Sequence, residues 1–139
     1  MQSKNLPIGY WIKQADEMLT KGIDEIQKLF NLTRTDWQII NSIHKNIIVE
    51  RLFLFDLMKP FADSEKVEAV LTRLQNEGLL KSEDDVTLTL TQQGQELYNA
   101  CFEQQQVFRQ KVMAGVSIAD YDTTVSTLKK IIENISSIK

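Results

Sequence analysis

The stretch from Asp63 to Thr91 constrains the fold more than any other. Residues Asp63–Glu77 carry Val67, Val70, Leu71 and Leu74 at i, i+3, i+4 and i+7. That spacing predicts a helix with one buried stripe. The other face holds Ser64, Glu65, Glu68, Ala69, Thr72, Arg73 and Asn76. Gly78 stands where a helix C-cap belongs, because glycine enters the left-handed region without a Cβ clash. Leu79–Leu90 then reads as a short hairpin turning at Asp84-Asp85. In its second arm Val86, Leu88 and Leu90 alternate with Thr87 and Thr89, which predicts a half-buried strand. A singly striped helix, a glycine cap and a β-ribbon together read as a winged helix–turn–helix.

The remaining chain supplies few breaks, with two prolines and five glycines in 139 residues. A first helix is expected over Ile8–Phe30, with apolar positions from Ile8, Trp11 and Ile12 to Ile26 and Phe30. So long an apolar series predicts that it covers a second surface besides the local core. Thr33 to Asp36 offers caps for a second helix, from Arg34 or Thr35 to Lys45, with Trp37, Ile40, Ile43 and His44 on its apolar side. A third helix is expected over Val49–Lys59, stopped by Pro60. Phe61-Ala62 forms a tight turn before Asp63 or Ser64 caps the next helix, completing a helix–turn–helix. A fifth helix is expected from about Gln92 to Met113, with a stripe of Leu97, Cys101, Gln104, Val107 or Phe108, and Val112. Gly115 breaks it. Asp120 then caps a last helix striped by Val125, Leu128, Ile131 or Ile132, Ile135 and Ile138. Terminal amphipathic helices outside a compact module most simply bury their stripes against a second copy of the chain. The expected class is mainly α (α+β), a single domain with a two-stranded wing and a dimerisation lobe. The winged module spans about residues 33–91, and the dimerisation helices about 8–30 and 92–138.

Composition sets bounds on function. No apolar run reaches membrane-spanning length, so no membrane partner is expected. Met1–Pro7 has no apolar h-region and no cleavage site, so no signal peptide is expected. One cysteine, Cys101, excludes an internal disulfide and points to the cytoplasm. His44 is the sole histidine, which leaves no histidine-based metal cluster or catalytic dyad. With no Gly-rich phosphate loop either, neither an enzyme nor a cofactor is expected.

Three stretches in order carry a family resemblance. They are Leu32-Thr33-x-x-x-Trp37, Leu71-x-x-Leu74-x-x-x-Gly78-Leu79-Leu80, and Leu88-Thr89-Leu90-Thr91-x-x-Gly94. With helices flanking at both ends, the chain resembles the MarR family of bacterial transcriptional regulators over almost its whole length. The resemblance implies a homodimer that places the helix over residues 63–77 in the major groove of an imperfect palindrome on double-stranded DNA. It also implies a repressor released by a small, often aromatic, effector bound between the lobes. On this reading the DNA-facing residues are Ser64, Glu65, Lys66, Glu68, Ala69, Thr72, Arg73 and Lys81. Tyr10, Trp11, Trp37, His44 and Phe53 are candidates to line an effector pocket, although aromatics at helical spacing are more often core.

Charge opposes the resemblance. Residues 47–90 hold five bases against nine acids, a net charge of −4, whereas the whole chain is −3. The wing, Lys81–Val86, lacks the arginine that the family carries there. Phosphate neutralisation supplies most non-specific affinity for DNA. A second reading is therefore kept: a winged-helix dimer with weak or lost DNA binding that acts as a protein-interaction or ligand-binding module.

Overall fold

The structure, a computed structural model, describes residues 5–138; Met1–Lys4 of the leader reading lie outside the described residues. The described chain divides after Gln106 into two compact units.

The first unit begins with α1 (Ile8–Leu29), whose end turns at Asn31 with φ 60°. α2 (Arg34–Asn46) starts with a reciprocal cap: Thr33 Oγ1 accepts from the Asp36 amide at 3.1 Å, and Asp36 Oδ2 accepts from the Thr33 amide at 3.0 Å. The two bonds satisfy donors that a helix N-terminus otherwise leaves open. After a γ-turn at Ile47 come β1 (Val49–Glu50), α3 (Arg51–Met58) and α4 (Ser64–Asn76). Asp63 caps α4 by accepting from the Lys66 amide at 2.8 Å. Gly78, at φ 79°, then releases the chain into β2 (Leu80–Lys81) and β3 (Thr87–Leu90), and α5 (Gln92–Val112) follows. The buried face of α4 is Val67, Leu71 and Leu74, with Val70 half-buried beside them. They pack with Ile39, Ile40 and Ile43 of α2, Leu54 and Met58 of α3, and Leu88 of β3.

The expected two-stranded wing is present as β2 and β3, and a third strand joins it to give the antiparallel order β1-β3-β2. Two expectations for this unit need correction. Val49-Glu50, expected to open the third helix, pairs as a strand instead, with Val49 opposite Leu88. β3 has a second edge to satisfy, and the pairing also buries the Val49 side chain. Val86 is exposed rather than in line with Leu88 and Leu90. The Asp84 carboxylate takes the amides of Val86 and Thr87, so the turn runs on to Val86 and the strand starts at Thr87.

α5 buries Gly94, Tyr98, Cys101 and Gln105, while Gln104 is exposed and Leu97 only half-buried. One close approach sets that rotation. A Cβ on Gly94 would lie 2.1 Å from the Leu79 carbonyl oxygen. Thr91 fastens the same junction: its amide donates to Leu79 O at 3.1 Å, its hydroxyl donates to Gly78 O at 2.6 Å, and that hydroxyl oxygen accepts from the Gly94 amide at 3.0 Å.

The second unit comprises the end of α5, a turn at Gly115 with φ 80°, and α6 (Ile118–Ser136). Ser117, not Asp120, caps α6: the hydroxyl accepts from the Asp120 amide at 3.0 Å, which puts Asp120 in the first turn. α6 buries none of its residues, and Ile132 and Ile135 are well exposed. In the first unit Ile8, Tyr10, Trp11, Ile12, Met18 and Leu19 of α1 are likewise exposed. Among the described residues no helix is long and apolar enough to cross a membrane.

The Gly94 junction yields a direct test. Gly94→Ala drives a methyl group into the Leu79 carbonyl, and overpacking of this kind costs about 1–3 kcal/mol or more. A thermal melt of the variant is expected to show a clearly lowered midpoint.

Candidate nucleic-acid interface

α4 presents Ser64, Glu65, Lys66, Ala69 and Thr72 to solvent. They share a face because the opposite stripe is anchored in the core. The Asp63 carboxylate sits on the Lys66 amide at the start of this helix. A donor that would otherwise face an anion is thereby already occupied, and by a negative group.

Two residues of the expected interface have partners inside the protein. Arg73 donates from Nη2 to Asp36 Oδ1 and from Nη1 to both carboxylate oxygens of Glu77, at 3.2 and 3.3 Å. Asp36 is the residue that closes the α2 cap, and its side chain is 1% exposed. The Asp36 hydrogen bond is the main cause that raises the Arg73 pKa above its ordinary value, with burial opposing it. Arg73 thus braces α4 against the start of α2. Glu68 accepts from Arg51 Nη1. That leaves Lys59, Lys66 and Lys81 as the cations of residues 47–90 that form no ion pair among the described residues.

The wing is shaped by its own acids. Asp84 Oδ1 accepts from the Thr87 amide at 2.8 Å, the Thr87 hydroxyl at 2.9 Å and the Val86 amide at 3.0 Å. These bonds hold the Asp84 carboxyl below the usual aspartate range. Asp85, at φ 60°, completes the turn, and Lys81 is exposed at its base.

The five aromatic and histidine candidates do not converge on one cavity. Trp37 and His44 lie two turns apart on α2, and both stack on Tyr98 of α5, with ring centroids at 4.9 and 3.9 Å. Between them Asn41 Oδ1 accepts from the Tyr98 hydroxyl at 3.1 Å, and the Gln95 amide meets His44 Nδ1 at 3.0 Å. Tyr10 and Trp11 meet edge to face on exposed α1. Phe53 instead lines a cleft of about 320 Å³ between α2 and α3, with Leu57, Phe61, Asn41 and Lys45. The Cys101 thiol is pushed up by burial, which keeps it protonated and inert at neutral pH. Among the described residues no cluster of His, Cys, Asp and Glu is placed to hold a metal.

Tyr98 and Gln95 were absent from the residues singled out as site candidates. Tyr98 carried a usable signal, since it stands four residues after Gly94 and three before Cys101. Arg51 reads from the sequence only as a cation available to phosphate, and nothing local signals its partners, which are 17 and 34 residues away.

The six helices and the three-stranded sheet match the fold of solved regulators. Reduced MarR from E. coli aligns with a TM-score of 0.70 over 91% of this chain and 93% of its own, at 18% identity. The chain has the MarR winged-helix fold. MepR, a transcription regulator of the Staphylococcus aureus multidrug efflux pump MepA, aligns at 0.76 over 94% and 99% of the two chains, with 13% identity. NadR in complex with 4-hydroxyphenylacetate aligns at 0.63 over 100% and 99%, with 24% identity. No protein-family model and no curated protein matches the chain. In this version of the MarR fold, the sequence signature of the family is weak while the backbone is kept.

Arg73 and Lys66 separate an internal brace from an exposed cation. Arg73→Ala leaves the buried Asp36 carboxylate one hydrogen bond short, a loss of about 1–3 kcal/mol. The lower half of that range is expected, because Arg73 is 42% exposed. Lys66→Ala should shift stability by less than about 0.5 kcal/mol. Urea unfolding midpoints of the two variants check both values. Because the Asp84 pKa is lowered in the folded chain, its contribution is complete above the ordinary aspartate value and disappears as pH falls through the folded value. The Val86 and Thr87 amide resonances should therefore shift below about pH 4 while core amides hold.

Proposed function

We propose that the chain is a DNA-binding transcriptional regulator of MarR type, acting as a dimeric repressor. The observation that carries this is α4: one face is anchored in the core and the other, Ser64, Glu65, Lys66, Ala69 and Thr72, is presented whole to solvent within the MarR fold. A mutant of MepR, which has the same fold, has been solved bound to an oligodeoxyribonucleotide. On this reading α4 enters the major groove. Lys66, Lys81 and Lys59 contact phosphates, with Ser64 and Thr72 as neutral donors. Glu65 accepts from a cytosine N4 amine and Ala69 packs on a thymine methyl group. Arg73 supports this face from within.

The exposed apolar rows on α1 and on α6 support a homodimer. The cleft beside Phe53 supports a small aromatic effector, as does the 4-hydroxyphenylacetate bound by NadR. Leu57 and Phe61 would flank its ring, and Lys45 would meet an acidic group.

The test is selection of fragments from the organism's own genome at about 150 mM salt, where weak electrostatic binding is suppressed. A palindromic site with half-sites about 34–36 Å apart is expected. Lys66→Ala should weaken binding across all sequences and lower the salt slope by about 1. Added 4-hydroxyphenylacetate should release the site from the native protein and fail to do so from Phe53→Ala. Recovery of no fragment by a folded dimer would favour the second reading, a protein-interaction or ligand-binding module. The three lysines against seven acids that form no ion pair among the described residues of 47–90 are the observation behind that reading.

A further inference from the structure

Arg51 opens α3, and its side chain is 18% exposed, although it belongs to neither the core nor the exposed face of α4. It makes three attachments. Nη1 donates to Glu68 of α4, Nε donates to the Asp85 carbonyl at the wing tip at 3.3 Å, and its amide donates to the Val86 carbonyl at 2.8 Å. We infer that Arg51 is a positioning residue that fastens the wing tip to α4, and that Glu68 acts by holding Arg51 rather than by reading a base. Its consequence for DNA rests on the function proposed above; the fastening itself does not.

The wing needs an outside support. β1 and β2 are two residues each and β3 is four, so the ladder ends before the tip. Asp84 closes the turn only on itself. Apart from the turn's own closure onto Thr87, Arg51 is the residue among those described that hydrogen-bonds to the tip from another element. A planar guanidinium with several fixed donors can serve a carboxylate and a carbonyl together, whereas an ammonium presents a single point. Glu68 is half-exposed on α4, so it looks free to meet a base edge. Arg51 already takes one of its two oxygens, Oε1, and offsets its charge, which weakens what Glu68 can offer a base. The pair also cancels one negative charge on a face expected to approach phosphate.

The experiment compares Arg51→Ala, Glu68→Ala, the double variant and Glu68→Gln in the full chain. Glu68→Gln keeps an acceptor for the guanidinium and serves as the rescue. Hydrogen exchange without DNA reads the fastening. Protection of the Arg51 amide should fall about two- to fivefold in both single variants and in the double variant alike, the scale of one partly exposed ion pair. Glu68→Gln should stay near the native value, and amides of Ile40 and Leu71 should not change. Fragment selection then reads the consequence: the same flanking base pairs should lose preference in all three alanine variants, without additivity. Unchanged Arg51 protection in every variant would overturn the fastening. A single base-pair preference lost in Glu68→Ala and kept in Arg51→Ala would make Glu68 a direct reader and overturn its supporting role. If no variant and no native protein binds DNA, the proposed function fails while the exchange result still decides the fastening.

Discussion

At the junction of Gly78, Leu79, Thr91 and Gly94, the chain leaving α4 passes so close to α5 that no side chain fits between them. Thr91 ties both ends of the hairpin there, so the wing cannot rotate independently of α5. The same contact fixes which side of α5 turns inward. Tyr98 is then delivered between Trp37 and His44, with its hydroxyl on Asn41. One backbone approach therefore decides the registry of α2, α5 and the sheet, and with it the direction in which α4 presents its polar face.

Polar groups inside the module follow a consistent logic. Asp36 is buried, and each of its oxygens is engaged, one by the α2 cap and the other by Arg73. A buried carboxylate is tolerable only with such partners. Arg51 and Glu68 do the same at lower burial, linking α3, α4 and the wing. Much of the charge in residues 47–90 thus acts inside the protein rather than toward a partner. Two of the five bases and two of the nine acids face one another, which leaves three lysines against seven acids and the net charge of −4 unchanged. Among the described residues, the cations of this stretch that form no ion pair are lysines only.

The terminal helices show the opposite condition. α1 and α6 carry apolar rows that the chain does not bury on its own. Rows of that length are costly to leave in water, at roughly 25 cal/mol per Å². The winged module has a complete core, whereas these helices leave their apolar rows exposed.

Local grammar determined most of the architecture in advance. The stripe Val67, Val70, Leu71 and Leu74, the cap at Thr33 with Asp36, the stop at Pro60 and the break at Gly78 were legible because each depends on residues within one or two turns. Only the tertiary structure decided the rest. Val49-Glu50 became a strand because β3 offered an edge nearly forty residues later in the chain. The inward face of α5 was set by a carbonyl from a different element, not by its own periodicity. Arg73 and Arg51 read as available cations until the fold brought Asp36 and Glu68 to them. Periodicity and capping are near-neighbour physics, written in order along the chain. Which charges cancel, and which faces remain free to meet a partner, depends on distances that exist only once the chain has closed on itself.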